Sequence, residues 1–78
     1  MDFVLYGKRG IIALEVKRTR RTSRADLAGL SLFRSDYPEA RCVFLFGGSR
    51  REYRGGIELI PIEEGLANLP MILQPSLQ

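Results

Sequence analysis

Seventy-eight residues, 45% hydrophobic and 27% charged, describe one small folded domain, and a chain of this size buries only roughly 60% of its unfolded surface, so its stability is marginal. A single cysteine, Cys42, excludes an intramolecular disulfide, and the absence of histidine argues against structural zinc and removes any Ser-His-Asp or Cys-His nucleophile. The net charge of +3 hides an asymmetry, because Lys8 to Arg24 holds seven bases against the one acid Glu15, while from Ile57 onward there are three glutamates and no base. Such a basic end favours a polyanion, with a solvated face as the competing reading.

In chain order, Asp2 to Tyr6 and Ile11 to Val16 are rich in β-branched, aromatic and aliphatic residues and flank Gly7-Lys8-Arg9-Gly10. This predicts a β-hairpin. With those four residues as the loop, Tyr6 lies opposite Ile11, and counting back places Asp2 opposite Glu15 on one sheet face, with Lys17 following on that face. Opposed like charges, Cβ atoms about 5 Å apart, destabilise a sheet unless compensated. A hard divalent cation, Mg²⁺ or Mn²⁺, would compensate them, with Lys17 supplying part of the charge. The bland alternative is a frayed Asp2 and solvated Glu15 and Lys17.

Arg18-Thr19-Arg20-Arg21-Thr22 continues from the second strand, and Ser23 with Asp26 three residues on predicts a helix starting near Arg24 and ending by Asp36, before Pro38. Leu27, Leu30 and Phe33, widened by Ala28 and Leu32, make its apolar face, and Gly29 points to close approach to the sheet. Arg41 to Phe46 reads as a strand buried on both faces and parallel to Ile11–Val16, with Cys42 a structural thiol inside it. Arg50 to Arg54 and Ile57 to Ile60 flank Gly55-Gly56 as a second hairpin. Pro61 ends that strand, Ile62 to Leu69 forms a short helix with Glu63 and Glu64 in its first turn, and Pro70 onward reads as a loose tail. The fold class is α/β, a mixed sheet in the order β-β-α-β-β-β-α, with one domain over 1–70 and a tail over 71–78.

Asp2, twelve intervening residues, then Glu15-Val16-Lys17 closing a hydrophobic strand resembles the active-site motif of PD-(D/E)xK nucleases, among them restriction endonucleases and archaeal Holliday-junction resolvases. With the basic segment, DLAGLSLFRSDYPEARCVFLFGG and GGIELIPIEEGL, the chain is more closely similar to the nuclease-like C-terminal domain of prokaryotic AAA-type ATPases. The resemblance implies a truncated restriction-endonuclease-like core, lacking the usual first helix and strand, either as part of a longer parent chain or completed by another subunit.

It further implies catalytic roles for Asp2, Glu15 and Lys17, a metal held by Asp2, Glu15 and the Val16 carbonyl, and nucleic-acid phosphates gripped by Arg18, Thr19, Arg20, Arg21 and Arg24, with Thr22 beside them. DNA is expected ahead of RNA. The alternative is a non-catalytic module that binds nucleic acid or docks on the ATPase. No stretch approaches the roughly 20 apolar residues of a membrane span, so a cytoplasmic protein with no membrane partner is expected. Two helices are few for a sheet with two apolar faces, which predicts a homo-oligomer or docking on the rest of a parent ATPase.

Overall fold

The computed structural model describes residues 3–7 and 10–73. Runs of aliphatic and aromatic residues punctuated by glycine and proline give β1 (Phe3–Gly7), β2 (Gly10–Val16), β3 (Arg41–Phe46) and β5 (Ile57–Pro61), and the polar β4 (Glu52–Arg54) joins them by pairing with β5. They form one mixed sheet in the order β1-β2-β3-β5-β4. The outer pairs are antiparallel, whereas β2, β3 and β5 run parallel. In the first hairpin Tyr6 lies opposite Ile11 as the loop length predicts, and the ladder runs one pair further, to Gly7 and Gly10. The last described pair at the other end is Phe3 and Leu14, so the expected partnership of Asp2 with Glu15 lies outside the described residues.

Helices lie on both faces of this α/β sheet. On one face Leu27, Leu30 and Phe33 pack on Ala13, Cys42, Phe44, Phe46, Ile57 and Leu59; Leu30 and Phe33 belong to α1 (Ala28–Asp36). On the other, Ile62 of α2 (Ile62–Ala67) and Ile72 of α3 (Leu69–Leu73) cover Leu14, Val43, Leu45 and Ile60. Cys42 to Phe46 are all buried, as two covered faces require of a central strand. Each fully buried side chain of this size stabilises the fold by about 1.5–3 kcal/mol relative to an exposed one. Gly55 and Gly56, at φ 55° and 83°, supply the left-handed pair that a two-residue hairpin turn needs.

Several expectations are corrected. Ser23 and Asp26 do exchange the predicted capping bonds, but residues 24–27 form a turn of i→i−3 bonds, and α1 begins only at Ala28. Ala28 and Leu32 are exposed, Leu32 by 66%, because the stripe at 27, 30 and 33 is narrow and both fall on its far side. Gly29 is exposed too and makes no close approach to the sheet. The strand expected from Arg50 starts at Glu52. The short helix breaks at Asn68, and where a loose tail was expected the chain forms α3 and buries Ile72. Pro70 is compatible with this because it sits in the first turn of α3, where its missing N–H has no helical partner to lose. The cover expected from elsewhere is therefore supplied, over the central strands, by α2 and α3.

Candidate nucleic-acid interface

Side chains alternate along β2, so Glu15 shares the α1 side with Ala13 and stands beside Phe44 of β3. It is buried, with 9% of its surface exposed. Val16 points to the other face. The Lys17 N–H extends the ladder by donating to the Leu45 carbonyl at 2.9 Å, while its exposed ammonium donates to Asp26 Oδ1 at 3.3 Å. Asp26 Oδ2 also accepts from the Ser23 N–H at 2.9 Å and the Ser23 hydroxyl at 3.0 Å. The Ser23 bonds, with Lys17 adding less, hold the Asp26 carboxyl below the ordinary value of 3.8. Lys17 is thus drawn toward the approach to α1, a partnership that the spacing of Asp2, Glu15 and Lys17 does not foretell.

Beyond Lys17 the chain crosses the end of β3. Gly47 donates its N–H to the Thr19 carbonyl at 2.7 Å, and a Cβ at Gly47 would lie 2.5 Å from the Arg18 carbonyl oxygen, so only glycine fits. The Thr19 hydroxyl donates to the Arg21 carbonyl at 2.6 Å, which shapes the loop instead of reaching outward. Thr22 is buried, its hydroxyl without a hydrogen-bond partner among the described residues, and it does not join the exposed surface expected of it. This folding brings Arg20 and Arg21 beside Gly48, Ser49 and Arg50 around a hollow of about 460 Å³ that Phe46, Gly47 and Glu52 complete. Arg18 lines a wider hollow of about 810 Å³ on the other side of the Gly47–Ser49 ridge, where Glu63 and Glu64 also lie.

Ion pairing divides the bases into two sets. Lys17, Arg41, Arg51 and Arg54 pair with Asp26, Glu58, Glu64 and Glu52 respectively. Arg18, Arg20, Arg21, Arg24, Arg34 and Arg50 form no ion pair among the described residues; Arg34 lies in the last turn of α1, and the other five belong to the two loops at the carboxyl ends of β2 and β3. The carboxyl ends of parallel strands are where open α/β sheets take their ligands.

The model of a domain of unknown function (DUF4143) matches residues 1–65. The chain belongs to this family. No curated protein and no solved structure matches the chain. Of its expected site residues, Glu15 and Lys17 share the end of β2, Arg18, Thr19, Arg20 and Arg21 form the adjoining loop, and Arg24 opens the turn before α1; Asp2 lies outside the described residues. Among the described residues no group of three acidic, cysteine or histidine side chains is placed to hold a metal ion. Sequence reasoning missed Asp26 as the partner of Lys17, and missed Arg50. The signal for Arg50 was present: a Gly-Gly-Ser-Arg turn after an apolar strand sets backbone N–H groups and a cation at a parallel strand's carboxyl end.

Proposed function

We propose that this chain binds nucleic acid through its backbone phosphates, DNA ahead of RNA in line with the resemblance to nucleases. The observation that supports this reading is the set of arginines without acid partners at one end of the sheet. Guanidinium groups gathered without counter-charges repel one another, and phosphates relieve that repulsion while releasing counterions. Contacts of this kind fix position and carry little sequence information. Replacing Arg20 and Arg21 together by alanine should weaken duplex binding at every sequence and reduce the salt slope by about two. An unchanged slope in fluorescence anisotropy would reduce the array to a solvated surface.

A second reading, metal-dependent phosphodiester hydrolysis at Glu15 and Lys17, is favoured by the burial of the Glu15 carboxylate next to the basic loop. It requires Asp2 and an Mg²⁺ or Mn²⁺ ion as well as the Val16 carbonyl. Titrating either ion while following the amide signals of Glu15, Val16 and Lys17, with DNA cleavage measured on the same sample, tests it; signals that do not move would end it. Self-association, or docking on the rest of a parent ATPase, would use the sheet edges β1 and β4, since the faces of the central strands are covered.

A further inference from the structure

The arginine array is not uniform. Arg18 and Arg24 stand apart from the hollow of about 460 Å³, whereas Arg20 and Arg21 reach it from one loop and Arg50 from another. The acid in its lining, Glu52, is already engaged by Arg54 at 3.4 Å. The floor is the Gly47-Gly48-Ser49 turn, and among the described residues the N–H groups of Gly48, Ser49 and Arg50 donate to no backbone carbonyl. The turn is fixed from below, because the Gly47 N–H bond to Thr19 and the contact with Arg18 tie the two loops together. Three arginines and a turn whose N–H groups have no backbone carbonyl thus line one concave space.

An internal phosphodiester carries one negative charge and two non-bridging oxygens. A terminal phosphate monoester near neutral pH carries up to two charges and has three terminal oxygens, which matches a site offering several planar forks better than a groove lining would. We propose that this hollow receives a phosphate monoester, the phosphorylated end of a nucleic-acid strand, with Arg20, Arg21 and Arg50 as its ligands. The inference rests on the nucleic-acid reading for the source of the phosphate, and the same chemistry would accept a free nucleotide.

The test compares single strands of one sequence ending in a 5′-phosphate, a 3′-phosphate or hydroxyls at both ends, by fluorescence anisotropy, with a nucleoside monophosphate as competitor. One of the phosphorylated strands should bind about tenfold more tightly than the hydroxyl strand, the scale of one charge-assisted hydrogen-bonded contact. Arg50→Ala should abolish that preference, and Arg50→Lys, which keeps the charge and loses the fork, should restore it only in part. Arg24→Ala should weaken all strands alike and leave the preference intact. Competition by the monophosphate at concentrations that leave the hydroxyl strand bound would assign the site to free nucleotides as well as strand ends. Equal affinity for all ends, or a preference that survives Arg50→Ala, would overturn the proposal while leaving backbone binding standing. If no strand binds, inorganic phosphate decides: saturating shifts of the Gly48 and Ser49 amide signals would uphold the pocket without the nucleic acid, and their absence would remove both.

Discussion

Arg41 and Arg50 occupy opposite ends of the same part of the sheet and put one chemical group to contrary uses. Arg41, at the start of β3, forks onto Glu58 through two bonds of 2.7 and 3.0 Å and donates a third to the Ile72 carbonyl at 3.0 Å. Its guanidinium therefore ties β3, β5 and α3 together, and the carboxylate beside it raises its pKa further. Arg50, past the end of β3, has no acid partner among the described residues. An arginine whose donors are satisfied inside the fold contributes stability, and one whose donors face outward costs a little stability and is available to an anion. Total charge cannot distinguish the two; the position of the nearest carboxylate can.

The comparison breaks most sharply at Gly47. Gly47→Ala drives a methyl group into the Arg18 carbonyl and should cost about 3 kcal/mol in urea unfolding while also spreading Arg20 and Arg21 away from Arg50, so stability and anion binding fall together. Arg41→Ala should cost about 2 kcal/mol, less than a fully buried pair because the guanidinium is partly exposed, and should speed hydrogen exchange in α3 while leaving nucleic-acid affinity per folded molecule unchanged. Loss of affinity without loss of stability in that variant would erase the distinction drawn between the two arginines.

The smallest effect concerns Asp26, whose carboxyl is held below 3.8 first by the Ser23 N–H, then by the Ser23 hydroxyl, with Lys17 contributing less. A depressed carboxylate adds stability that is fully present above its unfolded value and is lost as pH falls through the folded value. Its contribution is thus constant near neutrality and disappears only in acid below 3.8. Titration followed by NMR should show the Asp26 midpoint rise both in Ser23→Ala, which loses the hydroxyl and keeps the N–H, and in Lys17→Ala; a midpoint that does not move in Ser23→Ala would mean that the hydroxyl does not help to hold the carboxylate.

Strands were the most legible part of this chain because their cause is local. Apolar runs bounded by Gly7, Gly10, Gly47, Gly56 and Pro61 define all but β4, which the Gly55-Gly56 turn pairs with β5, and a helix between β2 and β3 leaves a parallel pairing as the natural one. The helix boundaries were less legible. The Ser23–Asp26 bonds form whether the following turn is tight or α-helical, so the cap alone does not say where α1 begins. Pro70 reads as a breaker unless its place within the first turn of α3 is known. Contacts made by register were invisible: Arg41 and Glu58 are 17 residues apart and meet because β3 and β5 run side by side. Arg50 joins Arg20 and Arg21 for the same reason, since the loops after two parallel strands emerge at one end.

The division of cover between α1 on one face and α2 with α3 on the other also sets an order of events during synthesis. A chain emerging from the ribosome as far as Phe46 already contains β1, β2, α1 and β3, enough to pair β2 with β3 and to bury Phe44 beneath Leu30. Leu14, Val43 and Leu45 then have no lid until residues 62–72 have emerged as well. For that interval the nascent domain presents an apolar sheet face and an unpaired β3 edge awaiting β5, the kind of transient surface that draws chaperones or a neighbouring nascent chain.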